Sequence, residues 1–123
     1  MDDKLEISLL YDFYSELLNP SQQQVIELYV NDDLSLAEAA EILSISRQGV
    51  RDSLNRASEK LRGYERKLGL VKAYRERQEL AEQIAREANA IIRGTDNEAI
   101  ITRCESIVAY TDKLTEKEEQ HGI

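Results

Sequence analysis

Apolar residues recur along this chain at steps of three and four, the period of an amphipathic helix. Over residues 5–18, Leu5, Leu9, Leu10, Phe13, Tyr14 and Leu17 fall on one helical face. Asn19 and Pro20 end that helix and start the next. Asn19 suits an N-cap, Pro20 suits the first turn, and Gln22 completes a reciprocal capping box. The second helix, about residues 20–30, is expected to bury Val25, Ile26 and Leu28 or Tyr29, with Gln22, Gln23 and Gln24 as a solvated face. A polar turn, Asn31, Asp32 and Asp33, follows. A third helix runs from Leu36 to Leu43 with Leu36, Ala39, Ala40 and Leu43 inward. A fourth runs from Arg47 to about Lys67. Its stripe is Val50, Leu54, Ala57, Leu61, Tyr64 and Leu68, and Gly69 is a plausible stop.

Beyond Gly69 the pattern predicts a fifth helix, about residues 70–93, with a seam of Tyr74, Ala81, Ile84, Ala85, Ala88, Ile91 and Ile92. Gly94 ends it. Thr95 and Glu98 are expected to box-cap a sixth, in which Ile100, Ile101, Cys104, Ile107, Val108, Thr111 and Leu114 align. The pair forms an αα-hairpin. Two such helices cover only part of each other's apolar surface, so they pack on the core, on a second subunit or on a partner. The excess of seam predicts a homodimer. The division expected is a helix-turn-helix domain over 1–69, the hairpin over 70–114 and a flexible tail over 115–123.

The chain is organised around residues 35–68. Ser35 and Glu38 form a capping box ahead of the third helix, and Ser46 caps the fourth. Only Leu43, Ser44 and Ile45 lie between, enough for a tight turn. A short capped helix, a tight turn and a longer helix opening with Arg, Gln and Asn side chains read as a helix-turn-helix in an all-α protein.

Composition agrees: there is one Pro among 123 residues, five Gly, and 33% charged residues. No apolar run is long enough to span a membrane, so no membrane insertion is expected. The acidic N-terminus lacks the marks of a signal peptide, and one Cys cannot form an internal disulfide. Cytoplasmic residence is the expectation. The net charge of −8 argues against a generic nucleic-acid binder, but its distribution matters more. Residues 1–43 carry −9, residues 44–77 carry +6, and residues 78–123 carry −5. The positive charge is concentrated on the second helix of the motif.

No catalytic set emerges, and an enzyme is not expected. The single His121 lies in the tail and the single Cys104 on the inner face of the sixth helix, so neither a Cys–His pair nor a Cys/His zinc site is available. Asp32, Asp33 and Glu38 cluster, but turn and cap chemistry accounts for them. The glycines are isolated and make no phosphate loop. No cofactor is implied. The basic helix is the better signal. Arg47, Gln48, Arg51 and Asn55 are side chains able to reach base edges, Arg to guanine and Gln or Asn to adenine. Ser46 sits at the helix N-terminus, where free N–H groups favour a phosphate. Lys60, Arg62, Arg66 and Lys67 lie further along, where only backbone is in reach. Asp52 places a negative charge near the reading face.

Residues 19–62, with PSQQQVIELYV, DDLSLAEAAEILSIS and QGVRDSLNRASEKLR, resemble region 4 of bacterial RNA polymerase sigma factors, a helix-turn-helix that reads promoter DNA. Over residues 9–77 the chain is more similar still to the YlxM-type proteins associated with the signal recognition particle. The marks are LLYDFYSELL, Asp32 to Glu38, SRQGVRD and YERKLGL. That resemblance implies a cytoplasmic bacterial protein, an accessory or regulator of the particle that binds its RNA or its GTPase. Arg47, Gln48 and Arg51 carry over as candidate contacts. Gly49 departs from the Ala expected there, which suggests a looser first turn. The alternatives are a transcription regulator binding duplex DNA and a helical adaptor that binds no nucleic acid.

Overall fold

A computed structural model describes residues 3–115. Its regular elements are six α-helices: α1 (Asp3–Tyr14), α2 (Pro20–Ile26), α3 (Leu36–Leu43), α4 (Arg47–Leu68), α5 (Leu70–Arg93) and α6 (Glu98–Thr115). A 3₁₀ turn follows α1 at Ser15–Leu17, and a π turn follows α2 at Glu27–Asn31. The fold is all-α with a helix-turn-helix in α3 and α4. The chain divides into two compact units, one reaching Val71 and the other beginning at Lys72. The tail from residue 116, His121 included, lies outside the described residues.

The first unit is built on α4. Helices α1, α2 and α3 all pack against it. Tyr14, Val25, Ile26, Ala39, Val50, Ala57 and Leu61 form its water-free centre. Each sits where a helical stripe points inward, and removing such side chains from water drives the assembly. The α1 stripe differs from the one expected. Ile7, Leu10, Tyr11, Phe13, Tyr14 and Leu18 are buried, whereas Leu5 and Leu17 are exposed. Two overlapping stripes are written on α1, and the 3₁₀ turn at its end turns Leu18 inward in place of Leu17. On α4, Leu68 is also exposed, and Tyr64 is half-buried with its hydroxyl donating to the Leu17 carbonyl at 2.9 Å.

The ends of the helices follow from local chemistry. Asn19 with Gln22 and Ser35 with Glu38 each form a capping box. Ser46 Oγ accepts from Gly49 N–H at 2.9 Å. Ser44 ends α3 in the left-handed region, and Gly69 ends α4 the same way at φ 63°, a conformation glycine adopts without a Cβ penalty. The expected end of the second helix differs. Past Ile26 the winding loosens, and Asp32 N–H donates to the Glu27 carbonyl five residues back at 2.8 Å. Tertiary bonds hold this turn. Tyr11 Oη donates to Glu27, while Lys4 lies 4.4 Å from the Tyr29 ring centroid and pairs with Asp33 at 2.6 Å. The lysine holds the Asp33 carboxyl below its usual range.

A second anchor joins α4 to the start of α5. Buried Tyr14 donates to Glu65 Oε1 at 2.5 Å, and its oxygen accepts from Leu70 N–H at 3.1 Å. Glu65 Oε1 also accepts from Val71 N–H at 3.1 Å. Two backbone donors at the α5 N-terminus are thus satisfied by side chains from α1 and α4. Burial, then the Glu65 carboxylate, pushes the Tyr14 hydroxyl up to about 12.

The second unit is a hairpin. Asn97 caps α6, its Oδ1 accepting from Ala99 and Ile100 N–H at 2.9 and 3.2 Å, in place of the Thr95–Glu98 box expected. Thr95 instead braces the turn by accepting from Asn97 N–H at 3.1 Å. Buried here are Ala81 and Ala88 on α5 and Cys104 and Thr111 on α6. Counting outward from Asp96, Ala88 is level with Cys104 and Ala81 with Thr111. The buried positions of this unit are thus one row of small residues on each helix. Of the other apolar positions expected in the two seams, Ile84, Ile91, Ile100, Ile107 and Leu114 are exposed.

Candidate nucleic-acid interface

Helix α4 is 22 residues long, about 33 Å at 1.5 Å per residue. Val50, Leu54, Ala57 and Leu61 fix its inner side. At 100° per residue, the ridge diametrically opposite carries Gln48, Asp52, Asn55, Glu59 and Arg66. One flank carries Arg47, Arg51 and Arg62. The other carries Arg56, Lys60 and Lys67. A polar ridge thus runs between two rows of cations.

The structure brings Ser46, Arg47, Gln48, Arg51 and Asn55 to the exposed side of the cap and first three turns of α4. Ser46 is occupied as the N-cap. Arg47 and Arg51 make no ion pair among the described residues. Arg51 and Asn55 also border a small hollow of about 150 Å³ formed with Tyr29, Val30 and Leu36. Gln48 Nε2 donates to Asp52 Oδ1 at 2.9 Å. That bond engages one oxygen of the Asp52 carboxylate, and both side chains are exposed.

Arg62 and Arg66 are placed differently. Arg62 is half-buried, with Nη2 at 3.5 Å from Glu6 Oε1 of α1. Arg66 pairs with Glu59 at 2.9 Å on the helix surface. Both guanidinium groups are engaged within the chain. Residue type and spacing alone do not single out Arg56 and place Lys60 among the distal residues; neither makes an ion pair among the described residues. Together with Gln22, Glu59 and Arg66 they border an open cleft of about 420 Å³. The signal was present in the helical register, because positions 56 and 60 flank the ridge opposite 47 and 51.

Gly49 has a local explanation. A Cβ there would stand 3.2 Å from Ser46 Oγ and 3.5 Å from Ile45 Cδ1. The Gly49 N–H is nevertheless bonded by the cap hydroxyl at 2.9 Å, so the first turn is fastened rather than loosened.

A family model described as "Putative helix-turn-helix protein, YlxM / p13 like", the UPF0122 family, matches residues 1–100. The chain belongs to the UPF0122 family. Its relatives include a UPF0122 protein of Caldanaerobacter subterraneus subsp. tengcongensis, 52% identical over 83 residues, which are 68% of this chain and 71% of the relative. A UPF0122 protein of Thermoanaerobacter sp. strain X514 is 40% identical over 113 residues, covering 92% of this chain and 97% of the relative. One from Clostridium perfringens strain 13 is 44% identical over 89 residues, 72% and 80% of the two chains. The matched residues of the UPF0122 model take in the whole helix-turn-helix and the α5 helix. Among the described residues no helix is long and apolar enough to cross a membrane, and no group of three or more His, Cys, Asp or Glu side chains is placed to hold a metal.

Proposed function

We propose that this protein is a nucleic-acid-binding regulatory protein whose α4 enters the major groove of duplex DNA. One observation carries the reading: a ridge of amide and paired polar side chains lies between two rows of cations on an exposed helix. The major groove is about 12 Å wide and bounded by phosphates on both rims. A helix lying in it needs neutral hydrogen-bonding groups in the middle and positive charge on each side. Arg47 and Arg51 supply one side, Arg56 and Lys60 the other. Gln48 and Asn55 face the base edges between them. The deep, narrow groove of A-form RNA does not admit a helix in this way.

A role in the signal recognition particle pathway rests on the family resemblance alone. It adds two partners to be tested beside DNA, the particle's RNA and its GTPase. The acidic exterior of α1 to α3 is the surface suited to a basic protein partner. The deciding experiment is fluorescence anisotropy of the full chain against random duplex DNA, that RNA and that GTPase over a salt series. Duplex binding that weakens on Arg47→Ala/Arg51→Ala is the expected result. Binding to the RNA alone moves the polyanion to the particle. Binding to the GTPase alone, unchanged by these substitutions, replaces the reading with that of an adaptor.

A further inference from the structure

The hairpin exposes a regular apolar face. Ile84 and Ile91 of α5 are 47% and 49% exposed, and Ile100 and Ile107 of α6 are 41% and 39% exposed. Leu114 continues the α6 row, one heptad beyond Ile107, and Leu80 stands beside the α5 row. In each helix one heptad row is buried in the hairpin and the next is left in water. The two exposed rows lie on the same side of the hairpin. Ile84 and Ile91 follow Ala81 and Ala88 by three positions, and Ile107 and Leu114 follow Cys104 and Thr111 by three. In antiparallel helices facing one another, equal offsets turn to the same side. A spacing of seven residues is the period on which helices pack against helices.

We propose that this face is covered by the same face of a second copy, forming an antiparallel four-helix bundle in which α5 lies over α6 of the other chain. Three features select that occupant and arrangement. The first is register. Counted from Asp96, Ile84 is level within one residue with Ile107, and Ile91 with Ile100. A twofold axis along the hairpin preserves these levels while exchanging the helices, so each isoleucine of α5 meets one of α6 in the second copy. The second is charge. The outer edge of the α5 row carries Glu87, and the outer edge of the α6 row carries Arg103 at nearly the same level. Laying α5 over α6 of the other chain sets Glu87 beside Arg103 twice. The other twofold arrangement, α5 over α5, stacks the two acidic edges together and the two basic edges together. The third is area. Two helices about 20 Å wide together and about 27 Å long along α6 offer roughly 500–600 Å² per copy, which approaches the ~800 Å² per partner of a standard stable interface. The inference is independent of what α4 binds.

The test is sedimentation velocity of the full chain across the micromolar range, with circular dichroism as the check on helix content. Wild type is expected to be a dimer, and Ile84→Glu and Ile107→Glu to be helical monomers. Glu87→Arg and Arg103→Glu are each expected to weaken association by about tenfold through exposed charges that leave the chain's own packing untouched. The double swap is expected to recover most of it. Wild type that remains a monomer at tens of micromolar overturns the proposal. So does a dimer indifferent to Ile84→Glu and Ile107→Glu. A double swap that stays as weak as the single ones overturns the arrangement of α5 over α6. Should a glutamate variant lose helix content, the charge swaps carry the test, since they lie on solvated edges.

Discussion

The two units share a helical period and differ in what they do with it. In the first, three short helices surround α4, and large side chains such as Tyr14, Ile26 and Leu61 are fully enclosed. In the second, the fully buried side chains are small: two alanines, a cysteine and a threonine. An apolar stripe records that a helix has a partner-facing side. How much of that side is covered depends on how many elements are available to cover it. Three neighbours enclose the α4 stripe, whereas Ile84 and Ile91 of α5 and Ile100, Ile107 and Leu114 of α6 stay exposed.

The sharpest way to break this contrast is truncation. Leu61→Ala is expected to cost about 2–5 kcal/mol in urea unfolding, the range for emptying a fully enclosed site. Ile84→Ala, measured where the chain is monomeric, is expected to change stability by less than about 0.5 kcal/mol. Comparable losses from both would mean that the hairpin face is covered within one chain.

A pH series probes the anchor at the end of the first unit. The Tyr14 hydroxyl sits at about 12, against 10 for an ordinary tyrosine. The folded state therefore holds its proton more tightly than the unfolded state. The stabilisation is complete below pH 10 and is lost as the pH rises through 12. Urea midpoints are expected to fall over that window, with Tyr14→Phe removing this residue's share of the fall.

Smaller effects are expected at the motif's turn. Ser46→Ala should cost about 1 kcal/mol through the lost cap. Gly49→Ala should be close to neutral. The helix propensity gained, up to about 1 kcal/mol, is offset by the new Cβ pressing on Ser46 Oγ at 3.2 Å. A clear gain would mean that the cap hydroxyl yields easily. Asp52→Asn should also leave folding within about 0.5 kcal/mol. Its readout is duplex affinity, which should rise because a negative charge leaves the ridge.

The helices were legible in the sequence because their ends are written locally. Asn19 with Gln22, Ser35 with Glu38, Ser46 and Gly69 each act within a turn of where they stand. What depended on distant residues was not legible. The π turn answers to Tyr11 and Lys4, one helix away. Leu5 and Ile7 carry equally good stripes, and only the packing of α1 on α4 chooses between them. In the candidate site, the first three turns of α4 could be read from residue type and register. The engagement of Arg62 could not, because Glu6 lies 56 residues earlier in the chain. Arg56 and Lys60 were within reach of the register itself, once the ridge is placed opposite Leu54 and Ala57.

The claim that α4 lies between two phosphate rims is tested most directly by the salt dependence of duplex binding. Four contacts, from Arg47, Arg51, Arg56 and Lys60, give an expected slope of about −3.6 in log affinity against log salt. Arg47→Ala/Arg51→Ala and Arg56→Ala/Lys60→Ala should each reduce its magnitude by about 1.8. A duplex affinity whose slope is unchanged by either pair, or the absence of duplex binding at low salt, would contradict the account.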